Sequence, residues 1–219
     1  MAFTFSNVTS QGGLNVTSVV TLSTFTSVTA NYYILPIYNR STTTTPAPTS
    51  TNGITFSLIT SIALNTGKIW LYAGYCTSGA SGAVSYTVTA NDSNSCSLDT
   101  VTGMVASGAA GVSNAANVAS ATTLSGIAFT SATYMFFGQG AVGATMGAEA
   151  GFTQLSLQTG SSYGQAAYNT GPDSTPTFSV TSGSFSPPYG IVAFELKGPD
   201  VAFGTAPVVN SLMLMGMGI

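Results

Sequence analysis

Short runs in which apolar and polar side chains alternate recur along most of this chain. The clearest is AVSYTVTA at 83–90, where small or hydroxyl residues alternate with Val84, Tyr86 and Val88. Because successive side chains of a strand point to opposite faces, this run predicts a strand buried on one face. Similar runs are separated by glycine, serine, asparagine and proline, and no helical period of useful length interrupts them. We therefore predict an all-β sandwich or barrel.

The predicted strands share this alternation or a short apolar centre. They are 2–9, 15–21, 30–38, 54–60, 68–76, 83–90, 99–105, 122–129, 133–138, 152–158, 163–168, 176–181 and 189–197. The runs at 30–38 and 133–138 are apolar almost throughout, which predicts strands covered on both faces or central in a sheet. Pro36 has no backbone donor, so it predicts a bulge or an exposed edge in the first of them.

Three segments interrupt the strand pattern. STTTTPAPTS at 41–50 predicts an exposed loop, either a plain connection or a glycosylated or partner-contacting one. The alanine- and glycine-rich stretch at 107–120 predicts a loop or a short helix. After Gly198-Pro199 the chain becomes apolar and methionine-rich, so we divide it into a sandwich domain, 1–198, and a C-terminal extension, 199–219.

The apolar run within the extension is too short to cross a membrane as a helix, and an exposed apolar tail is unfavourable in a monomer. It either folds back on its own sandwich or packs across a subunit boundary, and we predict the second. The predicted subunit contacts are Val208, Leu212, Met213, Leu214, Met215 and Met217.

Charge is unusually scarce. Only 4% of the residues are charged, whereas 33 threonines and 29 serines supply the polar groups. Hydroxyl groups do not titrate, so either the chain is adapted to acid or harsh surroundings, or its composition has simply drifted. Three scattered cations cannot follow a phosphate backbone or an anionic membrane, so we expect neither nucleic-acid nor membrane partners.

The composition also disfavours catalysis. Without histidine, the Ser-His-Asp and Cys-His arrangements cannot form, and no spacing of the six carboxylates marks a catalytic pair. The segment NDSNSCSLD at 91–99 could cradle Ca²⁺ but more simply predicts a capped turn. We expect no enzyme activity, no metal and no cofactor.

Two covalent features are predicted. Cys76 and Cys96 are too far apart in sequence for a compact zinc or redox motif, so we expect a disulfide between neighbouring strands rather than two buried thiols. N-glycosylation sequons occur at four asparagines, about as many as chance predicts, so these are candidate sites only. They are Asn7, Asn15, Asn39 and Asn91.

Several segments, in this order, resemble the β-sandwich domains of phage and prophage structural proteins and of Ser/Thr-rich secreted proteins. They are NYYILPIYNRS (31–41), NGITFSLI (52–59), GKIWLYAGYC (67–76), GAVSYTVTA (82–90), GFTQLSLQ (151–158) and YGIVAFELKG (189–198). The resemblance covers 15–198 and implies a jelly-roll-like sandwich used as a tail, fibre, capsid or surface module, with no catalytic residues. The extension after Gly198 departs from that family.

The chain is therefore expected to be a structural subunit of a virion, forming homo-oligomers and contacting other particle subunits. MAFTFSNVTS lacks a secretory signal, so we expect either export inside a particle or removal of a leader, and hence a virion or extracellular location. The alternatives are a subunit of a cell-surface filament, and a carbohydrate-binding or host-adhesion module. Tyr163, Tyr168 and Tyr189 lie near predicted turns and are the candidate glycan contacts, whereas Trp70 is expected in the core.

Overall fold

The computed structural model describes most of the first half of the chain and several parts of the second half. The described residues are 3–16, 19–41, 44–64, 67–88, 92–103, 110–118, 129, 131–139, 145–146, 151–159, 162–172, 180–181 and 189–196. Every regular element in them is a β-strand. The strands are β1 (Thr4–Val16), β2 (Val19–Thr21), β3 (Phe25–Thr26), β4 (Tyr32–Asn39), β5 (Thr49–Ser50), β6 (Ile54–Leu64), β7 (Gly67–Cys76), β8 (Ser81–Gly82), β9 (Val84–Thr87), β10 (Asp92–Thr102), β11 (Ala110–Val118), β12 (Thr133–Gln139), β13 (Thr145–Met146), β14 (Thr153–Gln158), β15 (Tyr163–Asn169), β16 (Val180–Thr181) and β17 (Tyr189–Leu196).

Two five-stranded antiparallel sheets form the body of the fold. The first main sheet has the order β1-β10-β4-β7-β6, and the second has the order β11-β17-β12-β15-β14. The first draws all its strands from residues 4–102 and the second from residues 110–196. The sheets face each other with β1 over β14 and β6 over β11. The predicted all-β class is confirmed, whereas the jelly-roll order stays a prediction.

The strand β4 explains why the fold has more than two layers. All eight of its residues are buried. Tyr32, Ile34 and Tyr38 belong to the core between the two main sheets, which we call the inner core. Tyr33 and Ile37 point the other way, because side chains alternate along a strand. The nearly continuous apolar run thus gives a central strand covered on both faces, as the sequence predicted.

The second face of the first main sheet is covered by short strands. β2, β9 and β5 form a three-stranded sheet, and β3 pairs with β8. Between this layer and the first main sheet lies an outer core that contains Trp70, Tyr86 and Val84. Trp70 is fully buried, which confirms its predicted place in the core.

The prediction for Pro36 is wrong. β4 lies inside the sheet, between β10 and β7, and Pro36 pairs with Leu71 in a register that does not shift along β4. The ladder with β10 also keeps one register on both sides of the proline, from Cys96↔Ile37 to Asp99↔Ile34. A single missing donor is therefore accommodated without a bulge because both faces of the strand are firmly packed.

Bulges occur instead in the four strands at the edges of the main sheets. β1, β6, β11 and β14 each carry a register shift against their neighbour, whereas the ladders β10–β4, β4–β7, β12–β17 and β12–β15 carry none. None of the four edge strands contains a charged residue or a proline. Charges and prolines commonly protect an edge from pairing with another chain, and here the bulges supply that protection.

The remaining sequence predictions have mixed outcomes. The stretch 107–120 is neither loop nor helix over its described part, since 110–118 forms the edge strand β11. In the loop at 41–50, Thr44 and Thr45 are exposed as predicted, but Pro46 is buried and its carbonyl accepts a hydrogen bond from the Tyr72 hydroxyl. This interaction anchors a segment for which the sequence predicted no anchor.

The predicted strand at 133–138 is confirmed as the central strand β12 of the second main sheet. Of the predicted strand 122–129 only Phe129 is described, and of 176–181 only the two residues of β16. The extension 199–219 lies outside the described residues, so its predicted packing across a subunit boundary is untested. The described residues contain no helix of the length and hydropathy that a membrane span requires.

Candidate functional site: a buried carboxyl group between the main sheets

One strand brings polar side chains into the interior. In β10, Ser95, Ser97 and Asp99 alternate with Cys96 and Leu98, and all five are buried. Because side chains alternate between the two faces, Cys96 and Leu98 enter the outer core, whereas the serines and Asp99 face the second main sheet. The segment 91–99 was predicted as a capped turn, and that prediction is wrong from Asp92 onward.

Asp99 is fully buried and accepts hydrogen bonds from three neutral groups. The Nδ2 of Asn7 on β1 donates to Oδ1 over 2.8 Å. The Ser97 hydroxyl and the Tyr134 hydroxyl both donate to Oδ2, over 2.8 Å and 2.6 Å. Since Tyr134 belongs to β12, this carboxyl group joins the first main sheet to the second.

A chain of hydrogen bonds continues from Asp99 into β14. The hydroxyl groups of Ser97 and Ser156 lie 2.8 Å apart, and the Nε2 of Gln158 donates to the Ser156 hydroxyl over 2.9 Å. The single proton of Ser97 is directed at Asp99, so Ser156 is the donor to Ser97. All donors of this chain therefore point toward Asp99.

A further bond joins the same two sheets, since the Ser95 hydroxyl donates to the carbonyl oxygen of Tyr163 over 3.2 Å. We call this set of groups the polar seam. Its members are Asn7, Ser95, Ser97, Asp99, Tyr134, Ser156 and Gln158.

Two glycines permit the close approach of strands at the seam. A Cβ atom on Gly164 of β15 would lie 2.5 Å from the Oε1 of Gln158 and 2.7 Å from the ring of Phe136. A Cβ atom on Gly12 of β1 would lie 2.6 Å from the Cβ of Gln158. Real Cβ atoms do not pack so closely, so the position of Gln158 depends on glycine on both sides.

Burial controls the protonation of the seam. Desolvation raises the pKa of Asp99 from 3.8 to about 6, and the hydrogen bonds from Asn7, Tyr134 and Ser97 limit the rise. Burial and the neighbouring Asp99 raise the pKa of Tyr134 well above its ordinary value. Burial also raises the pKa of Cys96 to about 11, so this thiol stays protonated at neutral pH. Asp99 is thus the member of the seam that titrates between pH 4 and 8.

The arrangement is suited to holding two sheets together and to binding a proton. Asp99 has no exposed surface, so it cannot contact a substrate in solution. Within the described residues no three histidine, cysteine, aspartate or glutamate side chains are grouped as a metal would require.

The predicted disulfide is wrong, since Cys76 and Cys96 are both buried free thiols. β4 lies between their strands, so the two cysteines are not on neighbouring strands. Cys96 is level with Ile37 on β4, whereas the amide of Cys76 donates to Asn31 at the other end. Ile37 and Asn31 are six residues apart along the strand, so Cys96 and Cys76 are offset by about 20 Å in the strand direction. A disulfide allows only ~7 Å between Cα atoms.

The sequons fare differently from one another. Asn39 is fully buried within β4, so it cannot carry a glycan in the folded chain. The Nδ2 of Asn7 donates to Asp99, so a glycan on that atom would break the polar seam. The side chain of Asn15 and the whole of Asn91 lie outside the described residues.

The three candidate glycan-binding tyrosines do not form one surface. The ring of Tyr168 stacks on Phe5 with ring centres 4.1 Å apart, and it packs against the inner core. Tyr163 lies five residues away on the same strand and so faces the opposite side of the sheet. Tyr163 is partly exposed. Its backbone lies level with that of Tyr189 across the sheet, because both residues pair with Gln139. The side chain of Tyr189 is outside the described part.

Sequence reasoning missed the polar seam, although the alternation in 93–99 carried a signal of it. Serine and aspartate occupy every second position there, and Cys96 and Leu98 occupy two of the positions between them. That pattern is typical of a strand with one polar face, but nothing in it indicates that the polar face is buried. The chain matches no protein-family model, no curated protein and no solved structure.

Proposed function

We propose that the chain is a non-enzymatic structural subunit of a virion, used as a capsid, tail or surface component outside the cytoplasm. The observation that carries the proposal is the complete burial of Asp99 between the two main sheets. Enzymes commonly use a carboxyl group with a raised pKa at an open cleft, where it can reach a substrate. Here the group is enclosed between two sheets, and its bonds go to a serine of its own strand and to two other strands of the fold, so it contributes to architecture.

The bulged edge strands of the two main sheets favour assembly through sheet faces and terminal extensions over assembly through strand pairing. An uncharged, flat edge strand would pair with any neighbouring chain, but every edge strand of the two main sheets is bulged. A subunit of this kind needs other contacts to form an ordered particle. We therefore retain the proposal that 199–219 packs on a neighbouring subunit through Val208 and the apolar residues 212–217, and that the complete sandwich follows a jelly-roll-like order.

Particle purification tests the proposed function. Particles from the source culture are isolated on a density gradient, and the copies of this chain per particle are counted by quantitative mass spectrometry. We expect the chain at many copies per particle in the particle fraction. Recovery only as a soluble monomer would contradict the proposal, above all if that monomer bound glycans and lost this binding on Tyr163→Ala.

Deletion of 200–219 tests the role of the extension separately. We expect the shortened chain to remain folded and to lose assembly. If it assembles normally but melts at a lower temperature as a monomer, the extension belongs to its own core and the intersubunit proposal is wrong.

A further inference from the structure

Within the described residues, the polar seam leaves one buried amide atom without a partner. In the described structure the Oε1 of Gln158 is buried and accepts no hydrogen bond, while the Nε2 of the same amide donates to Ser156. An unpaired buried carbonyl oxygen is unfavourable. The chain of donors runs from Gln158 through Ser156 and Ser97 to Asp99, so no hydroxyl proton is left for Oε1.

One proton from solvent would reverse this chain of donors and remove the buried charge. If Asp99 becomes a neutral acid, its own O–H can donate to the Ser97 hydroxyl, which then donates to Ser156. Ser156 in turn gains a proton to donate to Gln158, whose amide presents Oε1 after a half-turn. Asn7 and Tyr134 continue to donate to the carboxyl group. Every bond of the chain is kept with its direction reversed, and the Nε2 of Gln158 becomes the unpaired amide atom in place of Oε1. What the proton removes is the charge of Asp99, which burial among neutral donors makes unfavourable.

We propose that Asp99 is a proton-operated latch between the two main sheets, held firmly when its carboxyl group is neutral and weakened when it is ionised. The proposal goes beyond a structural role, since it gives the fold a response to pH. It concerns the isolated chain and is independent of membership in any particle.

Among the groups around the seam, Asp99 is the one whose charge changes between pH 4 and 8. Tyr134 faces it from β12, and Cys96 lies on β10 itself; the pKa of each is raised, so both stay neutral between pH 4 and 8. β4 brings Tyr32 to the inner core, where burial raises its pKa to about 12. β14 contributes the neutral Ser156 and Gln158, β15 contributes Tyr168, and β1 contributes Asn7.

Hydrogen exchange measured by mass spectrometry tests the latch where it acts. Amides of β12 and β14 are followed at pH 4.5 and 7.5, and the rates are corrected for the intrinsic effect of pH. In an opened seam Asp99 would regain its ordinary pKa, so opening should be roughly 20-fold rarer at pH 4.5. The Asp99→Asn variant is neutral at both values and should show no such difference.

A second buried carboxyl group provides the matched control. Glu195 on β17 is also buried but lies on the other face of the second main sheet, since Phe194 faces the inner core. Glu195→Gln should keep the difference seen in the wild-type chain. Equal corrected rates at the two pH values in the wild type would overturn the proposal, and so would an undiminished difference in Asp99→Asn. The wild-type comparison decides the matter even if a variant does not fold.

Discussion

Removing the hydroxyl group of Tyr134 should destabilise the chain by an amount that depends on pH. Tyr134→Phe deletes the 2.6 Å bond to Oδ2 of Asp99 and leaves the buried carboxyl group with two donors. At pH 7.5 the lost partner is a charged group, and such bonds contribute about 1.5–3 kcal/mol. At pH 4.5 Asp99 is neutral, and the loss should fall to about 0.5–1.5 kcal/mol.

The pKa of Asp99 should rise further in this variant, because the Tyr134 hydroxyl is one of the groups that lower it. Asp99 of the variant is then partly protonated at pH 7.5, so the loss of unfolding free energy should lie in the lower part of the range of about 1.5–3 kcal/mol. Urea unfolding at both pH values measures the effect, with the fluorescence of the single, fully buried Trp70 as the signal.

Tyr32→Phe is the matched control, since Tyr32 is a tyrosine of the same core that is not among the donors to Asp99. Its change in unfolding free energy should be the same at both pH values. A loss for Tyr134→Phe that is equal at pH 4.5 and 7.5, or larger in acid, would refute the reasoning.

Three further predictions follow from the packing. Gly164→Ala should destabilise the chain by about 1–3 kcal/mol in the urea assay, because the added methyl group meets Gln158 and Phe136. Gly171→Ala is the control and should be nearly neutral, because the nearest atom to its added methyl group would lie 3.8 Å away. Cys76 and Cys96 should both react with a thiol reagent once the chain is denatured without reductant, and a single disulfide-bonded mass would contradict the structure. Chain secreted from a glycosylating host should carry no glycan at Asn39, and peptide mapping that finds one on folded protein would show that β4 is not buried.

The sequence was sufficient to predict the strands that alternate or are apolar throughout. β4 and β12 were expected to be central because both of their faces are apolar, and they lie in the interior of the two main sheets. The position of Pro36 was not predictable, because a ladder can tolerate one missing donor when packing on both faces holds the strand. β11 was missed because alanine, glycine and asparagine carry little strand propensity, so its pairing with β17 decides its structure.

The candidate site was less accessible to sequence reasoning. Asp99, Tyr134 and Ser156 are 35 and 22 residues apart in sequence, and only the facing of one sheet on the other brings them together. The expected disulfide failed for the same reason, since strand order places β4 between Cys76 and Cys96.

The most direct test of the claim that the buried Asp99 binds a proton and so stabilises the fold is the unfolding free energy of the wild-type chain at pH 4.5 and at pH 7.5. The pKa of Asp99 is about 6 in the folded chain and 3.8 in its ordinary state, so between these values the folded chain binds more protons than the unfolded one. The stabilisation is complete below the lower value and is lost as pH rises through the upper one. We predict that the chain is more stable at pH 4.5 by about 2 kcal/mol. A chain that is less stable at pH 4.5 than at pH 7.5 would contradict a fold held together by a buried, proton-binding seam.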